Sequence, residues 1–206
     1  MSSNSALGRW SSLVVFLLGV AYFVALLIGF ATRGLSAPIA DPLLAIMEAL
    51  TLVVAPILLV MMAAIHGRAT EPLKTLGALA FAFMTLATGL TCTVHFMALT
   101  ATRQVGSARL VWPSAAYAAE LLAWDAFVGL SLIFAALTFQ PDGRERHVRH
   151  GLLWCGVLCV IGLAGPVTGN MRLQFVGVFA YGALLPAVCL LLSRLFHHDA
   201  GVPLPL

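Results

Sequence analysis

Six long apolar runs, broken by short polar turns, decide what this chain can become. A helix crossing a hydrocarbon core of about 30 Å needs about 20 mostly apolar residues. The runs fall at about 10–32, 43–66, 75–101, 114–139, 150–166 and 171–196. The breaks are ATRGLSAPIADP, HGRATEPLK, TRQVGSARLVWP, QPDGRERHVRH and GPVTGN, which concentrate glycine, proline and charge as turns do. The expected fold is all-α: a polytopic integral membrane protein with six transmembrane helices in a single bundle, one domain over residues 1–206. The short turn before the last run makes the fifth and sixth helices antiparallel neighbours.

Composition excludes the alternatives. Asp, Glu, Lys and Arg make up 9% of the chain and hydrophobic residues 61%. A soluble domain carries roughly 25% charged and about 45–50% apolar residues. Disorder needs the opposite balance, low hydrophobicity with high charge. The first run outlasts the apolar core of a signal peptide, about 7–15 residues. Pro38-Ile39-Ala40 also has proline where a cleavage site wants a small residue, so the first run reads as a retained span. The tail HHDAGVPLPL is too short to fold and carries no lipidation or retention signal.

An even number of spans puts both termini on one side. That side, A, holds Arg9, Arg68, Lys74, Arg144, Arg146, Arg149 and Arg194, against Arg33, Arg103, Arg109 and Arg172 on side B. The positive-inside rule then makes side A cytoplasmic, in a cell (inner or plasma) membrane. The net charge of +3 is a topology signal. It is no nucleic-acid footprint, because the basic residues flank separate helices and form no stripe.

An ionisable group at membrane depth costs about 2.5–3.5 kcal/mol on insertion scales and is a functional-site hypothesis by default. The candidates are Glu48, His95, Glu120 and Asp125. Glu48 lies a turn or two below side B. His95 precedes Arg103 by eight residues, roughly 10–12 Å of helix. Glu120 shares that depth, and Asp125, beside Trp124, lies nearer the midplane. Asn170, Arg172 and Gln174 open the sixth run on the same side. All seven polar residues therefore converge on one half of the bundle, and the other half is nearly featureless.

Helical spacing groups some of them. Thr88, Thr91, His95 and Thr102 share a face of the third helix, and Asn170, Gln174, Gly177 and Tyr181 a face of the sixth. Glu120 and Asp125 are five residues apart, about 140° around a regular helix, so they do not point at one spot. Plainer readings stand beside these. Threonines in membrane helices bond their own backbone. Glu48 can snorkel, Arg172 can anchor at the interface, and His95 can bond a neighbouring helix.

Cys92, Cys155, Cys159 and Cys189 all fall inside spans without a Cys-x-x-Cys spacing, and read as small hydrophobes. No metal site is indicated: His95 is the one deep histidine, and zinc spacing is absent. No GxSxG elbow, P-loop or GxGxxG occurs, and no cofactor can be named. Pro56 and Pro186 sit inside the second and sixth runs, where they can kink a helix.

Three functions fit. In the first, a small lipophilic molecule enters from the outer leaflet. Asp125 and Glu120 contact its polar end, His95 shuttles a proton, and Glu48, Thr91, Trp124, Asn170, Arg172, Gln174 and Tyr181 bind and orient it. In the second, the same residues form a proton or cation path in a small transporter or transporter subunit, against which stands the bare inner half. In the third, the polar groups hold helices together in a structural or assembly protein with a membrane-protein partner or a second copy. Orientation has its own test. A Ser107→Cys substitution is expected to react with an impermeant maleimide in intact cells and Gly143→Cys to stay unlabelled; labelling of position 143 alone would reverse the topology.

Overall fold

The computed structural model describes residues 3–34, 37–104 and 112–199. Six long helices build it: α1 (Ser3–Arg33), α2 (Leu43–Arg68), α3 (Lys74–Leu99), α4 (Ala115–Ala136), α5 (Arg146–Gly162, continued as Ala164–Thr168) and α6 (Phe175–Asp199). The described residues contain no strand. All six helices are long and apolar enough to cross a bilayer, which makes this a multi-pass membrane protein. The helical solution is forced, because lipid offers no partner for an unpaired backbone N–H or C=O.

The helix ends differ from the sequence expectation where the backbone finds a tighter turn. Residues 171–174 were expected to begin the sixth helix. Instead Gly169, at φ 73°, closes α5 in the left-handed region. The N–H groups of Leu173, Phe175 and Val176 then bond three residues back, so α6 proper starts at Phe175. Arg109 and Ser107 lie outside the described residues. Gly143 has φ 60°, a conformation that a cysteine there would strain. The exposed neighbour Asp142 is the better labelling position on that turn.

Each helix packs on its neighbours in sequence, and α6 returns to α1, so the bundle is an up-and-down ring. The ring is filled unevenly. Its side-A half is solid, with Met61, Met62, Leu132, Phe139, Leu152, Leu192 and Phe196 buried in one cluster. Sulfur fills the gaps: Cys189 Sγ lies 3.7 Å from Met61 Sδ, as suits a soft, polarizable packing group. Outside, Trp154 (60% exposed) and Phe96 (59%) are among many large apolar side chains that only lipid can cover.

Without a hydrophobic force between helices in lipid, close approach and interhelical hydrogen bonds hold the ring. Ser131 donates to the Ala80 carbonyl at 2.7 Å, joining α4 to α3. Thr88 donates to Ala55 at 3.1 Å, joining α3 to α2. Ser193 donates to Arg9 at 3.0 Å, joining α6 to α1. At the side-A surface Arg68 pairs with Glu145 at 2.5 Å and Asp199 at 2.7 Å, tying α2 to the α4–α5 turn and to α6. Between α4 and α5 the backbones nearly touch: a Cβ on Gly156 would lie 2.5 Å from the Gly129 carbonyl oxygen. Gly156→Ala is therefore expected to destabilise by about 1–3 kcal/mol in detergent unfolding. Gly89→Ala, with nothing within 4 Å of the added carbon, should change stability by less than about 1 kcal/mol. Equal effects would mean that α4 and α5 do not meet this closely.

Candidate functional site

The side-B half of the ring is hollow. A cavity of about 860 Å³ runs from Pro38, Leu44 and Arg172 near the surface down to Val15, Leu58 and Pro186. Leu58 is fifteen residues into α2, roughly 22 Å along a helix axis. Side chains of α1, α2, α3, α4 and α6 line the cavity, and α5 supplies none among the described residues. The walls are mostly aliphatic and aromatic.

One polar cluster stands in that wall. Glu48 of α2 and Glu120 of α4 flank the imidazole of His95 on α3. Nδ1 of His95 bonds Glu48 Oε2, and Nε2 bonds Glu120 Oε1 at 2.7 Å. All three groups line the cavity and are largely shielded, with side-chain exposures of 8% for Glu48, 9% for His95 and 14% for Glu120. The second oxygen of Glu120, Oε2, is buried without a hydrogen-bond partner. Each helix contributes one member because each reaches the same depth near its side-B end: Glu48 early in α2, His95 late in α3 and Glu120 early in α4.

Protons in this cluster can be counted. Each of the two hydrogen bonds contains one. A doubly protonated imidazole between two carboxylates satisfies both bonds. So does a neutral imidazole that donates to one carboxylate and accepts from the protonated form of the other. Both arrangements hold two protons and a net charge of −1, so a proton can shift along the chain with no change in total charge.

Two irregular turns meet beside the cluster. Leu122–Val128 in α4 and Ala180–Leu184 in α6 are π-helical, a geometry that recurs at functional sites. They bring Trp124 against Tyr181, ring centroids 5.1 Å apart. The Gln174 amide donates to the Tyr181 hydroxyl at 2.9 Å. The Cys155 thiol of α5 donates to the Ala180 carbonyl at 3.1 Å, within the α6 irregularity.

Asp125 points elsewhere. It is fully buried and does not line the cavity. Its carboxyl group fits between α5 and α6 in a slot made by two glycines. A Cβ on Gly177 would lie 2.5 Å from Oδ1, and one on Gly162 would lie 3.2 Å from it. Neither carboxyl oxygen has a hydrogen bond of ordinary geometry, although the Gln174 amide is nearby.

Of the residues singled out from the sequence, Glu48, His95, Glu120, Trp124, Arg172, Gln174 and Tyr181 line one cavity. Thr91 is buried one turn from His95 but off the cavity wall. Asn170 is exposed, and its Oδ1 accepts from the Arg172 N–H at 3.3 Å in the turn before α6. Sequence reasoning assigned nothing to α1, which forms a whole wall: Val15, Gly19, Tyr22, Leu26 and Phe30 line the cavity. Their spacing of three or four residues was a readable signal, with Tyr22 the one hydroxyl between Ser12 and Thr32. Tyr117 and Trp112 were also missed. Among the described residues no set of three or more His, Cys, Asp or Glu is placed to hold a metal ion. No protein-family model matches the chain, and no similar curated protein or similar solved structure was found.

The geometry separates two substitutions. His95→Ala leaves two buried carboxyl groups without their shared partner and is expected to cost about 3–5 kcal/mol in detergent unfolding. Asp125→Asn keeps the shape and breaks no ordinary hydrogen bond, so a change of less than about 1 kcal/mol is expected. A large loss for Asp125→Asn with a small one for His95→Ala would invert this account of what holds α2, α3 and α4 together.

Proposed function

We propose that this membrane protein binds a small lipophilic molecule in the side-B cavity, with the ligand's polar end against Glu48, His95 and Glu120. The single observation that carries this reading is a proton-bearing cluster in the wall of a largely apolar chamber. The volume of about 860 Å³ falls within the roughly 300–1,000 Å³ typical of ligand pockets. In this reading Gln174 holds the Tyr181 ring, Tyr181 and Trp124 pack on the body of the ligand, and Arg172 stands at the rim. Proton transfer to or from the ligand is open to the cluster, because its two internal hydrogen bonds interchange donor and acceptor without a change of net charge. Glu120 and His95 are the proposed proton-transfer residues. Asp125 is proposed to set the packing of α4 on α5 and α6.

The buried cluster of Met61, Met62, Leu132 and Phe196 fills the ring on the side-A half, which supports a binding chamber over a through path. With side A cytoplasmic, by the excess of arginine and lysine there, the chamber faces outward. Native mass spectrometry tests the reading. The wild-type protein, released from detergent, is expected to carry a small molecule. Val178→Trp, which puts an indole into the chamber from its half-buried wall, should lose that molecule while the protein stays folded. A wild type that is always empty, and that lipophilic molecules of suitable size do not occupy, would sink the proposal.

A further inference from the structure

We infer that the chamber takes a lipophilic cation, and that the cluster releases one proton as the cation binds. This rests on the binding reading above and specifies its ligand class. The two bonds of Glu48–His95–Glu120 need two protons and leave a charge of −1. A third proton has no place within those bonds and sits on an outer carboxyl oxygen. Glu120 Oε2 is such an oxygen, buried and without a partner. The cluster is therefore neutral in two ways: with three protons and no ligand, or with two protons and a bound cation. A lone negative charge at this depth is strongly disfavoured, so exchange between the two neutral states avoids the charged one. In the exchange the O–H bond of one carboxyl group breaks, its electron pair stays on the oxygen, and the proton passes to water at the chamber mouth. No other reactant is needed.

The walls suit such a guest. The chain has three tyrosines, and all of them, Tyr22, Tyr117 and Tyr181, line the chamber, with Trp112 and Trp124 beside them. Aromatic faces attract cations, more strongly when the site is dry. Tyr22 lies within electrostatic range of both Glu48 and Glu120, and Tyr117 of Glu120. Tyr22 on α1, Cys92 and His95 on α3 and Tyr117 on α4 lie within electrostatic range of Glu120, with Glu48 on α2 across the imidazole. Arg103, paired with Asp41, lies within range of Glu48, and Tyr181 on α6 is in range of Tyr22, Tyr117 and Asp125. Arg172 is the one arginine or lysine among the described lining residues. It is exposed at the rim, where water and headgroups screen it, whereas the acidic cluster is largely shielded.

Three probes of one shape and different charge decide the matter: tetraphenylphosphonium, tetraphenylsilane and tetraphenylborate. Binding to the purified full chain in detergent is read by equilibrium dialysis, and proton release by an indicator dye in weak buffer. The phosphonium is expected to bind saturably and to release about one proton per cation bound. It should bind at least about tenfold more tightly than the neutral or anionic probe. Glu120→Gln should abolish the proton release. Tyr22→Leu should weaken phosphonium binding about tenfold and Tyr22→Phe should restore it, because the ring face and not the hydroxyl does the work. These tyrosine variants carry the test if Glu120→Gln fails to fold. Equal binding of the neutral or anionic probe, or phosphonium binding without proton release, would overturn the cation exchange and leave the chamber standing. Failure of all three probes to bind would overturn both.

Discussion

Lipid supplies no hydrogen bonds, and the architecture of this protein follows from that. Backbone groups must pair within each segment, so every described span is a helix. Side-chain hydroxyls turn back on their own helix, as Thr51 does to Met47 at 2.9 Å, or reach a neighbour, as Ser131 does to Ala80. The deep ionisable groups face the same constraint more sharply. Glu48, His95 and Glu120 meet it by bonding one another across three helices. Their shared partner is an imidazole, the one side chain that can serve two carboxyl groups from opposite edges of a ring.

That solution divides the ring into unlike halves. On side A, Leu, Met, Cys and Phe interlock, and the Arg68 network clamps the ends of α2 and α6 to the α4–α5 turn. On side B, the helices stand apart around a chamber, and the space between them is walled by large rings in place of interdigitated side chains. A half that is closed by packing and a half that is held open around an acidic cluster together resemble a cup. The two π-helical turns sit at its inner wall, where Trp124 and Tyr181 face each other. Glu120 lines the cup while Asp125 lies behind it, drawn into the slot between Gly162 and Gly177.

Much of this was legible in the sequence. Six apolar runs announced six spans, because hydrocarbon thickness sets a length that composition can be counted against. Depth was legible too. Each helical residue advances a fixed distance along the axis, so Glu48, His95 and Glu120 could be placed in one layer by counting from the turns. The same count places Asp125 deepest of the four. Depth alone, however, could not say that the two glycines Gly162 and Gly177 would draw it toward α5 and α6. The wall made by α1 carried one polar mark, Tyr22, in the row Val15, Gly19, Leu26 and Phe30; apolar residues cover the rest of its circumference, so a single hydroxyl was all that marked the inner face.

What the sequence determined by itself was the class of solvent, the number of crossings and the depth of each polar group, all of which depend on distance along the chain. What only the tertiary structure decided was the angle of each side chain around its helix and the neighbour it meets. That angle is set by π-helical turns, glycine contacts and the closure of the ring by α6 on α1. None of these is a local property of the residue concerned. The pairing of one histidine with two glutamates, and the hollow beside them, exist only because three helices stop at matching heights and turn the same layer inward.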